Sequence, residues 1–140
     1  MSYKSEKNRV FKYSNVDAVT IHQKFHNVII VQYPEEVSTE YLRGLMDELF
    51  RKSVMLEKFI LLNIGSSFKK RTNPEQNELI KQSINDLDNL CHIIFVTKDI
   101  PLVTKLSIKF SMGVLHRDKY SIVESVEEAD ELIEKFISKW

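Results

Sequence analysis

The sequence predicts an α/β fold: a mixed, mostly parallel five-stranded sheet opened by an N-terminal hairpin, with four helices. Three observations carry this expectation. Short β-branched runs alternate with longer segments whose apolar residues recur at helical spacing. The first two runs, "VDAVTIH" and "VIIV", are joined through the short "KFHN", which suits a hairpin turn. Each later pair of runs is separated by a helical segment, the connection that parallel strands need.

The elements follow in order. Residues 1–12 read as a flexible polar lead-in, and 13–140 as a single domain. Val16, Ala18, Thr20 and His22 alternate with Asp17, Val19 and Ile21, the two-residue period of a strand. Asn27 in the following turn tolerates a left-handed conformation. Val28 to Val31 form the continuous β-branched run of a buried strand. After Pro34, Leu42, Leu45, Met46, Leu49 and Phe50 fall on one helical face. Ser38 or Thr39 is the expected N-cap, and Glu40 suits the positive end of the dipole. Gly44 inside that helix costs about 1 kcal/mol relative to alanine and permits close packing on the sheet.

"KFILLNIG" is the third strand. Asn73 caps the helix after it, Pro74 fits the first helical position, and Glu75 favours the dipole. Its inward face is Leu79, Ile80, Ser83, Ile84, Leu87 and Leu90. "CHIIFVT" is the fourth strand. A third helix is expected from about Asp99, with Leu102, Val103, Leu106 and Phe110 inward and Gly113 ending it. "YSIVES" is a short fifth strand. Ser125 caps the last helix, with Glu128 three residues on. Ala129, Leu132, Ile133, Phe136, Ile137 and Trp140 share its inward face.

Composition narrows the function classes. Twenty basic and twenty acidic residues cancel, so there is no basic excess for a nucleic acid or a charged membrane surface. Cys91 is the single cysteine, which excludes an internal disulfide and a zinc site built on several cysteines. The polar N-terminus lacks an apolar signal segment, and no run reaches the roughly 18 apolar residues of a membrane span. A cytoplasmic location is therefore expected, with no metal and no cofactor.

Several residue groups could carry chemistry. The loop Gly65, Ser66, Ser67, Lys69, Lys70, Arg71, Thr72, Asn73 joins a buried strand to a capped helix. Its cations and the helix N-terminus would favour an anion or a phosphorylated partner, although the same charges also suit a solvated connector. An aspartyl-phosphate receiver is disfavoured, because the matching strand position is Asn63, whose amide cannot form an acyl phosphate. His22 and His26 flank a turn, where their rings need not converge on a metal; His92 and His116 are isolated. Cys91 and His92 should point to opposite faces of a strand, leaving Cys91 as a core residue. Glu35 and Glu36 read as a solvated helix approach rather than a carboxylate pair. Ile108 and Met112, four apart on the expected third helix, form a candidate apolar interaction patch.

The phrases "VTIHQKFHNVIIVQYPEEVSTEYLRGLMDELF", "KFILLNIG" and "YSIVESVEEADELIEKF", in that order, resemble the STAS domain (sulfate transporter and anti-sigma-factor antagonist), most of all its SpoIIAA-like branch. The resemblance covers roughly residues 16 to 140. It implies a non-enzymatic regulatory module of bacterial signalling that binds a protein partner. The family's Asp-Ser-Ser-Gly-like phrase, whose serine is phosphorylated, is replaced here by "FKKRTNPEQ". Thr72 is the only hydroxyl at that helix start and becomes the candidate phosphoacceptor. The alternative on the same fold is a small-molecule or lipid-binding domain taking a small hydrophobic ligand.

Overall fold

The computed structural model describes residues 18–33, 38–65, 73–96 and 119–140. Among them the order is β1 (Val19–Ile21), β2 (Val28–Tyr33), α1 (Thr39–Ser53), β3 (Phe59–Gly65), α2 (Pro74–Asn85), β4 (Leu90–Val96), β5 (Tyr120–Val123) and α3 (Val126–Ser138). The five strands form one sheet in sequence order, with β1 antiparallel to β2 and β2 through β5 parallel. This is the expected mixed sheet opened by a hairpin. Three helices lie among the described residues. The expected third helix, from Asp99 to Gly113, falls outside them, as does the lead-in 1–12.

Of the expected alternation, Val16 and Asp17 lie outside the described residues, and Ala18 and His22 lie outside the strand. β1 spans only Val19–Ile21; the His22 amide still donates to the Val28 carbonyl at 2.9 Å, but the return bond of that pair is not made. The cause is local: His22 Nδ1 accepts from the Lys24 and Phe25 amides at 3.0 and 3.2 Å, which bends the chain into the turn. The Val28 amide then donates to the Phe25 carbonyl and closes it.

Because the parallel strands step in one direction, right-handed crossovers put α1 and α2 on the same face of the sheet. There Leu42, Leu45, Met46 and Leu49 of α1 and Ile84 of α2 meet Ile29, Val31, Phe59, Leu61 and Ile93. Gly44 is buried in α1, as close packing requires. Phe50 does not join them; it is 45% exposed, since it sits a quarter-turn round the helix from the stripe's centre. The inward face of α2 is also narrower than its periodicity suggests. Leu79, Ile80 and Ser83 are only half-buried, and the helix ends at Asn85, so Leu87 packs from a turn and Leu90 from β4.

On the opposite face, α3 covers Val28, Ile60, Leu62, Ile94 and Val96. Ala129 and Ile133 are fully enclosed there, while Leu132, Phe136 and Ile137 are half-buried. Trp140 lies beyond the helix end and is 40% exposed, with Lys58 Nζ 4.6 Å above its ring. All three caps match the sequence: Ser38, Asn73 and Ser125 accept from Tyr41, Gln76 and Glu128 amides. Glu128 reaches back to the Glu124 amide rather than to its own cap.

Candidate functional site

The parallel strands all end at one edge, the carboxyl edge, from which the segments leading to α1 and α2 depart. Gly65 ends β3 there, paired with Tyr33 of β2, and Asn73 caps α2. Ser66, Ser67, Lys69, Lys70, Arg71 and Thr72 lie outside the described residues, as do Ile108 and Met112. The structure thus fixes the two anchors of the predicted loop, not the cations between them.

At this edge the starts of α1 and α2 are tied together. Gln76 donates through Nε2 to Thr39 Oγ1 at 3.4 Å, and Arg43 approaches Glu75 at 3.6 Å. The first turn of α2 also satisfies itself. Asn73 Oδ1 accepts from the Gln76 amide at 2.8 Å, while Gln76 Oε1 accepts from the Asn73 amide at 3.1 Å. Pro74 carries no N–H, and Glu75 brings a carboxylate to the positive end of the dipole. These features leave the helix start poorly furnished for an anion, so any anion affinity of the loop rests on its own cations.

Four polar or charged residues are buried among the described residues: Glu48, Ser53, Asn63 and Gln76. Three have partners. Glu48 is held by Arg51 at 3.2 Å and by Lys52. Ser53 Oγ donates to the Phe50 carbonyl at 2.7 Å. Gln76 is spent in its capping box. Asn63 differs: it is 6% exposed, and its carboxamide oxygen is enclosed with no hydrogen-bond partner among the described residues. It lies two residues from the end of β3, beside Val31 and Phe95 and on the face shared with Phe59 and Leu61. That face lies beneath α1 and α2, whose first turns meet at the carboxyl edge. Burying an amide oxygen unpaired costs on the order of 1–3 kcal/mol. In the sequence Asn63 stands out only as the wrong residue for a phosphate acceptor. The available signal was its place as the one polar residue in "FILLNIG".

Tyr33, at the end of β2, is half-buried, and burial pushes its hydroxyl well above the ordinary phenol range. It therefore stays protonated at any physiological pH and does not act as a base.

His116 lies outside the described residues, and the described histidines do not converge. His22 Nε2 meets Asp130 Oδ1 at 3.1 Å, pinning the hairpin to α3, and its ring lies 4.9 Å from that of Phe25. Since Nδ1 accepts two backbone amides, the proton of the neutral ring sits on Nε2 and no lone pair is left for base catalysis. His92 Nε2 meets Ser121 Oγ at 2.9 Å, and its ring lies 4.3 Å from Phe136 of α3. Burial, and then the Lys119 charge, hold His92 below the ordinary imidazole value. No third group orients this pair among the described residues, so it lacks the base-orienter arrangement of a nucleophilic site.

Cys91 is half-buried, not a core residue. The register between β3 and β4 shifts at Phe59/Ile60, which pair with Leu90 and His92, so Cys91 is the unpaired extra residue of a bulge. Its sulfur lies 3.8 Å from the Asn89 carbonyl. Among the described residues no group of three or more His, Cys, Asp or Glu side chains could hold a metal. No described helix is long and apolar enough to cross a membrane.

Comparison with known proteins adds no relative: no family model, no curated protein and no solved structure matches the chain.

Proposed function

We propose that this protein is a non-enzymatic regulatory interaction module, of the kind the STAS resemblance implies, that engages a protein partner at the carboxyl edge of its sheet. The observation that carries the reading is Asn63. Asn63 is a buried amide at this edge whose side-chain oxygen finds no donor among the described residues. A polar residue kept at a stability cost marks a place where folding is not the only requirement.

Two features favour a protein partner over a small hydrophobic ligand. A lipid-sized cavity would leave its lining side chains accessible, yet Ile29, Leu42, Leu45, Phe59, Ile60, Leu62, Ile93 and Ile94 have no accessible surface. The described strands also run in unbroken order, so there is no strand-order reversal to open the crevice in which α/β sheets commonly hold small ligands. The cations Lys69, Lys70 and Arg71 would steer an acidic or phosphorylated partner, with Thr72 as the residue whose phosphorylation would oppose it.

The test is partner capture at matched stability. The Lys69→Ala, Lys70→Ala, Arg71→Ala variant should lose a partner that the parent retains from a lysate of the source organism at low salt, and Thr72→Glu should weaken the same capture. Undiminished capture by both variants would remove the carboxyl-edge loop as the working surface.

A further inference from the structure

The sheet's second face is guarded differently from its first. Two helices cover the first. Among the described residues α3 alone covers the second, and behind it stand Val28, Ile60, Leu62 and Ile94 with no accessible surface. Apart from apolar contacts, the ends of α3 are held by Asp130 to His22 and by Trp140 beneath Lys58. His92 sits in the middle of this seam. It belongs to β4, bonds Ser121 of β5 at 2.9 Å, and lies with its ring 4.3 Å from that of Phe136.

We propose that His92 is a proton-sensitive latch: protonating its ring loosens α3 from the sheet and exposes the apolar face behind it. The groups around the ring explain why. From β5 the facing groups are Ser121 and, as the nearest charge, Lys119. From β3 the register neighbour is Ile60. From α3 the residues turned to the sheet are Ala129, Leu132, Ile133, Phe136 and Ile137, none of them titratable. The α3 carboxylates Glu127, Glu128, Glu131 and Glu134 are exposed, and Asp130 is engaged by His22. An imidazolium at His92 would therefore meet a lysine and an apolar surface, with no carboxylate to receive it among the described residues.

The direction of the effect follows. The docked helix holds His92 neutral, below its ordinary value, by burial first and by Lys119 second. With α3 undocked the ring regains water and returns toward about 6.5. Attachment of α3 is thus complete above that value and weakens as pH falls through it toward the lower value of the docked state. Below the docked value no further weakening comes from this group. The seam would then couple acidity to exposure of a second, apolar surface, separate from the carboxyl edge.

Hydrogen exchange resolved by peptide tests this on the full chain between pH 7.5 and 5.0, corrected for intrinsic exchange. Protection of α3 should fall by up to about tenfold per pH unit within the window, the limit for one proton per molecule, while α1 and α2 keep theirs. His92→Gln, which retains a neutral polar group opposite Ser121, should abolish the slope, and His22→Gln should leave it. A slope that survives His92→Gln, a slope lost in His22→Gln, or parallel loss of protection in α1 and α2 would overturn the proposal. Because a substitution could disturb the seam itself, the parent supplies an independent check. The His92 ring, followed by NMR, should titrate below the ordinary imidazole range, at the lower end of the pH interval in which α3 loses protection. Titration at or above the ordinary value would contradict the latch.

Discussion

Two asparagines at opposite ends of the sheet have opposite fates. Asn89 stands at the amino edge, just before β4. Its amide nitrogen donates to the Ser53 and Leu56 carbonyls, each at 2.8 Å, and its own carbonyl accepts from the Phe59 amide at 3.1 Å. One residue thus ties off the end of α1, the turn after it and the start of β3. Asn63, at the carboxyl edge, is buried more deeply and has an oxygen with no donor among the described residues. The same side chain therefore stabilises one edge and strains the other. The amino edge is where the chain is stitched together, and the carboxyl edge is where it keeps an unmet polar group.

The contrast can be broken most forcefully at the amino edge. Asn89→Leu removes two donors from carbonyls at a helix end and should destabilise the protein by about 2–3 kcal/mol. Urea denaturation reads this directly, and a loss below about 0.5 kcal/mol would show that the clamp is dispensable.

A smaller effect is expected at the carboxyl edge, where the satisfied part of the structure lies beside the unsatisfied one. Gln76→Ala breaks the capping box of α2 and its link to Thr39, and should cost about 1 kcal/mol. A null result would mean that solvent replaces Gln76 without penalty and that the two helix starts are not coupled. The smallest effect belongs to the loop cations. Replacing Lys69, Lys70 and Arg71 by alanine should change stability by less than about 0.5 kcal/mol while reducing partner capture in a salt-dependent way. A larger loss of stability would give these residues a structural role instead.

Much of the fold was legible because its cues are local. The β-branched runs, the helical spacing of Leu42, Leu45, Met46 and Leu49, and the caps Ser38, Asn73 and Ser125 each act within a few residues. Misjudged positions lie where a neighbour in space decides the outcome. His22 ends β1 because its ring captures two amides of its own turn. Cys91 is displaced from the core by a register shift between two strands, which no single-strand pattern records. Phe50 falls off the edge of its stripe because α1 meets the sheet over a narrower arc than its apolar residues span. The site was less legible still. "GSSFKKRTN" announces charge, but whether its helix end has donors to spare depends on Gln76 closing the box. That Asn63 lacks a donor is a property of the packed interior and invisible in "FILLNIG".

The most direct test of the account is one substitution made at both asparagines and read by the same urea denaturation. Asn63→Leu replaces an unpaired buried amide with an apolar group of similar reach, and should stabilise the protein by about 1 kcal/mol while partner capture falls. Asn89→Leu should move stability the opposite way. The account predicts opposite signs at the two edges. A loss of stability at Asn63 comparable with that at Asn89 would mean that its amide is bonded in the folded protein, and would contradict the assignment of the carboxyl edge as the part of the sheet kept for binding.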